Sequence, residues 1–392
     1  MSQVTKARLT AGRVQLVYMD TNGTKKYAGR KMRRIAQPRI ERCMAFCYAG
    51  FFVLFFFIMV VEDARERRNR SESVTIVFVI CKNQYDDGLI AVKSAIAYSK
   101  SPLRIIIITD DIGQKDMLKE VGSWPGEITK RVRVDIHPLR LPDTYNLANA
   151  LGPCAAQELF LASALPHEGA VIYANAEMVF LHPVENLWRI LAAMDGLHLT
   201  AMAPETESAA RIWYQFMRKE PPPLPFGMTS GLVLMNLTRM RELGLEQRLT
   251  ELDRETAATG RRGDMLSNLF TGRPEALRTF SCCWHFHSGH CNGSALCIDG
   301  PVAAVRGSQQ VPAFAALRDA MRQYVLGGSL EKEFVAPLSA RLDSMMPSNC
   351  SMHFKRQLPI WLQVARHVDN ELVPITLDRN LLRFQHPPLP GQ

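Results

Sequence analysis

The sequence predicts an α/β fold with a mostly parallel sheet whose first half is suited to a nucleotide. Three observations carry that prediction. Val74–Ile80 and Arg104–Thr109 (RIIIIT) are short, continuously apolar, β-branched runs, as expected for parallel strands buried on both faces. Stretches with helical spacing alternate with them, which is the pattern of strand–helix–strand units. At 392 residues the chain is long enough to bury a large core in one or two domains.

Taken in order, Val74–Ile80 is the first strand. Leu89, Val92 and Ile96 follow at helical spacing behind Asp86-Asp87, acidic residues that suit a helix N-terminus. After the strand at Arg104–Thr109, a helix runs through Met117, Leu118 and Val121, and a strand lies near Val132–His137. Ala155–Leu165 reads as helical, Val171 opens another strand, and a further strand lies near Leu232–Met235. Helices are expected around Ala313–Leu326 and Leu330–Leu342, and Pro221-Pro222-Pro223 marks a surface loop.

The net charge of +9 does not point to nucleic acid, because it is confined to one end. Residues 1–42 hold eleven Lys and Arg against Asp20 and Glu41, whereas the rest of the chain carries 36 basic and 36 acidic residues. A neutral globular part behind a basic tail lacks the phosphate-binding face that a nucleic-acid binder needs. Cys43–Val61 then runs for 19 residues without a charge. As a helix it spans about 28 Å, close to a bilayer's hydrocarbon thickness. Arginines before it and Glu62-Asp63 after it predict a single-pass anchor with a cytosolic N-terminus. A cleaved signal peptide is the competing reading; the long n-region and the lack of a small-residue cleavage site argue against it. Translation from Met1 or from Met32 fits equally well.

Everything past Val61 is then expected in a secretory lumen, of the Golgi or the endoplasmic reticulum, where disulfides persist. Seven cysteines fall there, and an odd number leaves at least one unpaired. The sequons at Asn69, Asn236, Asn292 and Asn349 would face the compartment in which they are used. The organisation read from the chain is a basic tail (1–42), a membrane anchor (43–61), a short stem (62–73), a lumenal domain (74–355) and a C-terminal extension (356–392).

Val171–Pro183 (VIYANAEMVFLHP) is the most informative stretch. Two apolar runs flank Asn175-Ala176-Glu177, and residues i and i+2 at a strand end can face one ligand. A divalent ion would want two charged oxygens here; this turn offers an amide and one carboxylate.

The frame around this turn resembles family 8 glycosyltransferases, most closely the glucoside xylosyltransferases, which carry Asp-Thr-Asp at the turn. Lys93-Ser94-Ala95-Ile96, Pro153-Cys154-Ala155-Ala156-Gln157, Ala201–Glu205, Ser230-Gly231, Leu234–Met240 and Cys282…Trp284…His290-Cys291…Cys297 recur in order, over roughly residues 74 to 355. The resemblance implies a GT-A-type nucleotide-sugar fold, a UDP-sugar donor and a glycoprotein acceptor. In that family a divalent ion, usually Mn2+, binds the two aspartates and a later histidine preceding glycine. Asn175 and Glu177 stand at the aspartate positions, and the histidine position falls on Ala303, near Val305-Arg306-Gly307. Thr229-Ser230-Gly231 replaces a donor-binding Asn-Ser-Gly. Glu158 replaces an arginine suited to the donor phosphates. Gly263-Asp264 remains of an acceptor-side Gly-Asp-Gln-Asp, which makes Asp264 either a sugar-binding carboxylate of the catalytic centre or a loop cap, with Met265 following it. Cys283, in place of a family glutamine, is the candidate free thiol.

His285-Phe286-His287-Ser288-Gly289-His290-Cys291 invites a zinc reading, but the family uses the flanking cysteines structurally and the lumen favours disulfides. His285 and His287 replace a family asparagine and arginine. Two functions remain open at this point. One is a type II membrane xylosyltransferase acting on O-linked glucose of EGF-like repeats with retention of configuration. The other is a weakened or inactive relative, serving as a lumenal binding or assembly partner. The changes at Glu158, Asn175, Glu177, Met265 and Ala303 bear on the choice.

Overall fold

The computed structural model describes residues 4–10, 13–19, 25–31, 73–141, 152–205, 228–249, 251, 274–293, 297, 300–307 and 309–370. The chain divides into two compact units, Met1–Ser71 and Glu72–Gln392. In the first, β1 (Val4–Thr10), β2 (Arg13–Met19) and β3 (Lys25–Lys31) form an antiparallel meander, where the sequence suggested only a basic tail. Among the described residues no helix is long and apolar enough to cross a membrane; the run 43–61 lies outside them.

The second unit is mixed α/β. Its strands are β4 (Val74–Ile80), β5 (Leu103–Thr109), β6 (Val132–Pro138), β7 (Val171–Asn175), β8 (Met178–Phe180), β9 (Thr200–Pro204), β10 (Met228–Met235), β11 (Leu277–Thr279) and β12 (Ala304–Arg306). Seven of them form one sheet in the order β11-β9-β10-β7-β4-β5-β6, and β12 pairs with β8 in a separate two-stranded ribbon. Around β4 the pairing is parallel, with Ile76 level with Ile105 and Ile172; β10 runs antiparallel to both of its neighbours.

Every residue of β4 and β5 is buried, so both faces of the sheet are covered, as the unbroken apolar runs predict. Because side chains alternate, Ile76, Phe78, Ile105 and Ile107 enter one core while Val77, Val79, Ile106 and Ile108 enter the other. Burying eight such side chains contributes on the order of 10–20 kcal/mol before the opposing chain entropy.

The principal helices are α1 (Tyr85–Tyr98), α2 (Asp111–Gly122), α3 (Glu185–Ala192), α4 (Pro312–Gln323), α5 (Ala336–Ser344) and α6 (Asn349–Asp369). Two expectations are corrected. The helix read over Ala155–Leu165 is broken into short turns at Pro153–Gln157, Glu158–Phe160 and Leu161–Ala164. The boundary at residue 355 falls inside α6, whose Trp361, Val364 and Val368 are buried in the main core. The polar residues between them had masked that stripe. Leu330–Leu342 also opens with a wider π turn at Glu331–Val335 before α5.

Several of the recurring sequence segments are structural. Lys93 donates to the carbonyls of Arg322 and Tyr324, placing its cation at the C-terminus of α4. Ser94 is fully buried and accepts from the Phe180 backbone N–H at 2.9 Å, tying α1 to β8. Cys154 is bonded to Cys81, and Gln157 accepts from the Arg140 backbone N–H. The other disulfides join Cys282 to Cys297 and Cys291 to Cys350. Cys283 is buried and outside the three disulfides, as the resemblance implied, with its thiol donating to the Gly300 carbonyl at 3.2 Å.

Candidate functional site

β4, β5 and β7 all end at one edge of the sheet, where ligands of open α/β sheets gather. Asn175 is the last residue of β7, level with Val79 near the end of β4. Its side-chain oxygen accepts the Glu177 backbone N–H at 2.8 Å, closing a tight Asx turn into β8. The Glu177 carboxylate accepts from Arg306 Nε at 3.1 Å, in a pair about two-fifths exposed. Arg318, buried on α4, locks the same turn by donating to the Glu177 carbonyl at 2.7 Å and to Asp87 at 2.6 Å.

On the other side of β7 runs β10. Leu232 lies opposite Ala174, which puts Gly231 beside Asn175. The Thr229 hydroxyl donates to the Ala203 carbonyl at 3.2 Å, so it braces β9. Gly231 is needed for space: a Cβ there would sit 2.4 Å from His285 Nε2 and 3.2 Å from Arg306 Cδ. His285 is buried, neither ring nitrogen has a hydrogen-bond partner among the described residues, and its pKa is driven well below the ordinary value. Burial is the main cause, followed by the Arg306, His287 and His290 charges. Its ring is therefore neutral.

Glu158 is hydrogen-bonded to the buried Tyr173 phenol on β7. Burial first, and the Glu158 charge second, push that phenol's pKa well up, while Arg306 acts in the opposite direction. A carboxylate thus stands where the resemblance implied an arginine, and it holds the strand that carries the turn.

The structure accordingly brings Asn175, Glu177, Ser230 and Gly231 together and adds Arg306, Arg318, His285 and Tyr173. Asp264 and Met265 lie outside the described residues. Ala303, where the resemblance puts the histidine, does not reach the turn. Ala303 is buried at the far end of the ribbon, where its carbonyl accepts from Leu181 and its N–H donates to Cys283. Arg306, opposite Met178 and followed by Gly307, is the residue that reaches the turn.

This donor set does not fit a divalent ion. The amide oxygen is committed to the turn, the one carboxylate is already paired with a cation, and a metal there would face the guanidinium. Among the described residues the metal-capable cluster is Cys282, Cys283 and Cys297, two of which form a disulfide. The HFHSGHC stretch makes no such cluster: the His287 and His290 side chains accept from backbone N–H groups in a helix cap, and Cys291 is oxidised.

No protein-family model matches the chain. Over 305 residues it is 28% identical to glucoside xylosyltransferase 2 of Mus musculus, covering 71% of this chain and 68% of that one. Over 321 residues it is 28% identical to glucoside xylosyltransferase 1 of Danio rerio, covering 75% and 79%. Among solved structures, mouse xyloside xylosyltransferase 1 in its apo form aligns with a TM-score of 0.46 at 13% identity, covering 61% of this chain and 99% of that one.

Proposed function

We propose that this chain, whose homologues are the glucoside xylosyltransferases, is a type II membrane xylosyltransferase with a GT-A-type lumenal domain. It takes UDP-xylose as donor and O-linked glucose on EGF-like repeats of a glycoprotein as acceptor. The bond from xylose C1 to the diphosphate breaks with its electrons passing to UDP. The acceptor hydroxyl oxygen bonds to C1 on the same face and passes its proton to the departing diphosphate. Residues 43–61 anchor the protein in the Golgi or endoplasmic-reticulum membrane, with no role for nucleic acid.

The observation that carries this reading is sequence kinship over about seven-tenths of the chain, together with Ser230-Gly231 lying beside the Asn175–Glu177 turn at the strand ends. Manganese has no step in it, since the residues present do not suit that ion. A second reading, a lumenal binding or assembly partner without transfer, is favoured by Glu158, whose charge opposes a donor phosphate.

The two separate in one assay. The chain is incubated with radiolabelled UDP-xylose and an EGF-like repeat, either carrying O-linked glucose or bare. Label on the glucosylated repeat alone is the expected result. Donor binding without transfer would move the assignment to the second reading, and neither binding nor transfer would remove the first.

A further inference from the structure

The site's disagreement with a divalent ion has a direct chemical consequence. Asn175 is neutral, Glu177 is an anion and Arg306 is a cation, so the turn balances its own charge without any metal. Arg306 uses only Nε on Glu177; its two terminal nitrogens make no hydrogen bond among the described residues, and the side chain is 40% exposed. A planar guanidinium with free N–H groups is suited to paired phosphate oxygens. The Arg306 side chain packs over Gly231, beside the Asn175–Glu177 turn at the strand ends. His285 supplies a second pointer to a ligand there. It is a buried ring whose two nitrogens have no hydrogen-bond partner among the described residues, with Nε2 lying against Gly231, 2.4 Å from where a Cβ would sit.

We propose that the Arg306 guanidinium is the resident cation of this cleft and receives a nucleoside diphosphate in the absence of metal, with His285 as a neighbouring hydrogen-bond donor. This inference rests on the nucleotide-sugar reading above. Glu177 then has a different task from metal ligation: it holds Nε and aims the rest of the fork outward. Arg318, buried and held through its terminal nitrogens by Asp87 and the Glu177 carbonyl, fixes the turn and does not reach the ligand.

The test is calorimetric titration of UDP into the full-length chain in detergent, once with a chelator and once with excess manganese. Equal affinity within about twofold is expected in the two conditions. Arg306→Ala should weaken UDP by about tenfold or more in both, the usual effect of losing a charge-assisted hydrogen bond. Arg306→Lys should restore part of that loss, because it keeps the charge without the fork. The double variant Asn175→Asp/Arg306→His should gain saturable manganese binding, read by the ion's own paramagnetic resonance, which the natural chain lacks. Thermal melting of each variant confirms that it is folded. UDP binding that requires manganese, or that survives Arg306→Ala unchanged, overturns the resident-cation assignment and leaves the donor reading standing. No UDP binding in either condition overturns both.

Discussion

Two arginines meet carboxylates at opposite ends of the large sheet, and the contrast between them separates what builds this molecule from what it offers to a ligand. Arg104, at the start of β5, donates to Asp135 on the neighbouring β6 at 2.8 Å and to Glu168 in the loop before β7. Its side chain and that of Glu168 are each only 9% exposed. Burial opposes the Arg104 charge, but the two carboxylates outweigh it and hold the guanidinium's pKa above the ordinary value. Arg306, at the strand ends, has one carboxylate and one hydrogen bond among the described residues, and its side chain is 40% exposed. A buried guanidinium gripped by two carboxylates is committed to the fold; a half-exposed one with a single carboxylate can still take a ligand.

The contrast predicts unequal costs of removal. Arg104→Ala leaves the buried Glu168 without its cation, while Asp135 keeps only the exposed Arg133, and should cost about 3–5 kcal/mol, the range found when one partner of a buried pair is lost. Chemical denaturation would register it as a lower midpoint with an unchanged slope. A loss below about 1 kcal/mol would mean that water reaches this end of the sheet and that the two pairs are equivalent.

Acid should strike the site end through His285. Its folded pKa is depressed, so the unfolded chain takes up the proton first. The stability that its neutral ring contributes is complete above about pH 6.5 and declines below it, by about 1.4 kcal/mol per pH unit until the folded ring itself titrates. His182, held near pKa 4 by burial, and His290, held near 3 by burial and the His287 charge, add shares with the same sign. Melting His285→Phe beside the natural chain between pH 7.5 and 5.5 isolates one share. Parallel pH slopes for the two proteins would show that the ring above Gly231 is solvated.

The two ends also differ in how far they could be read from residues alone. Val74–Ile80 was legible to the residue, because a strand buried on both faces leaves an unbroken apolar run and nothing else explains one. Asn175 and Glu177 were legible as a polar interruption between two such runs. Arg306 was not assigned to them, because its partner lies 129 positions earlier and only the β8–β12 pairing brings the two together. His285 was hidden for a related reason. Its meaning lies in the missing Cβ of Gly231, which reads in a sequence as a donor-loop glycine and in space as room for an imidazole. Arg104 escaped notice because it opens an otherwise apolar strand, and its partners sit on two other segments.

The smallest expected effect sharpens the comparison most. Arg306→Ala should lower stability by under about 1 kcal/mol, since a half-exposed pair gains little beyond its own desolvation and side-chain entropy. The same substitution is expected to weaken UDP by about tenfold or more, as proposed above. A residue whose removal is nearly silent in a denaturation curve but prominent in a titration is held by the fold without holding it. Arg104 should show the reverse, a large loss of stability with UDP affinity unchanged under conditions where the variant remains folded. If Arg306→Ala instead costs as much stability as Arg104→Ala, the Glu177 pair is a clamp on the β7–β8 turn, and its open nitrogens would have to be explained by water.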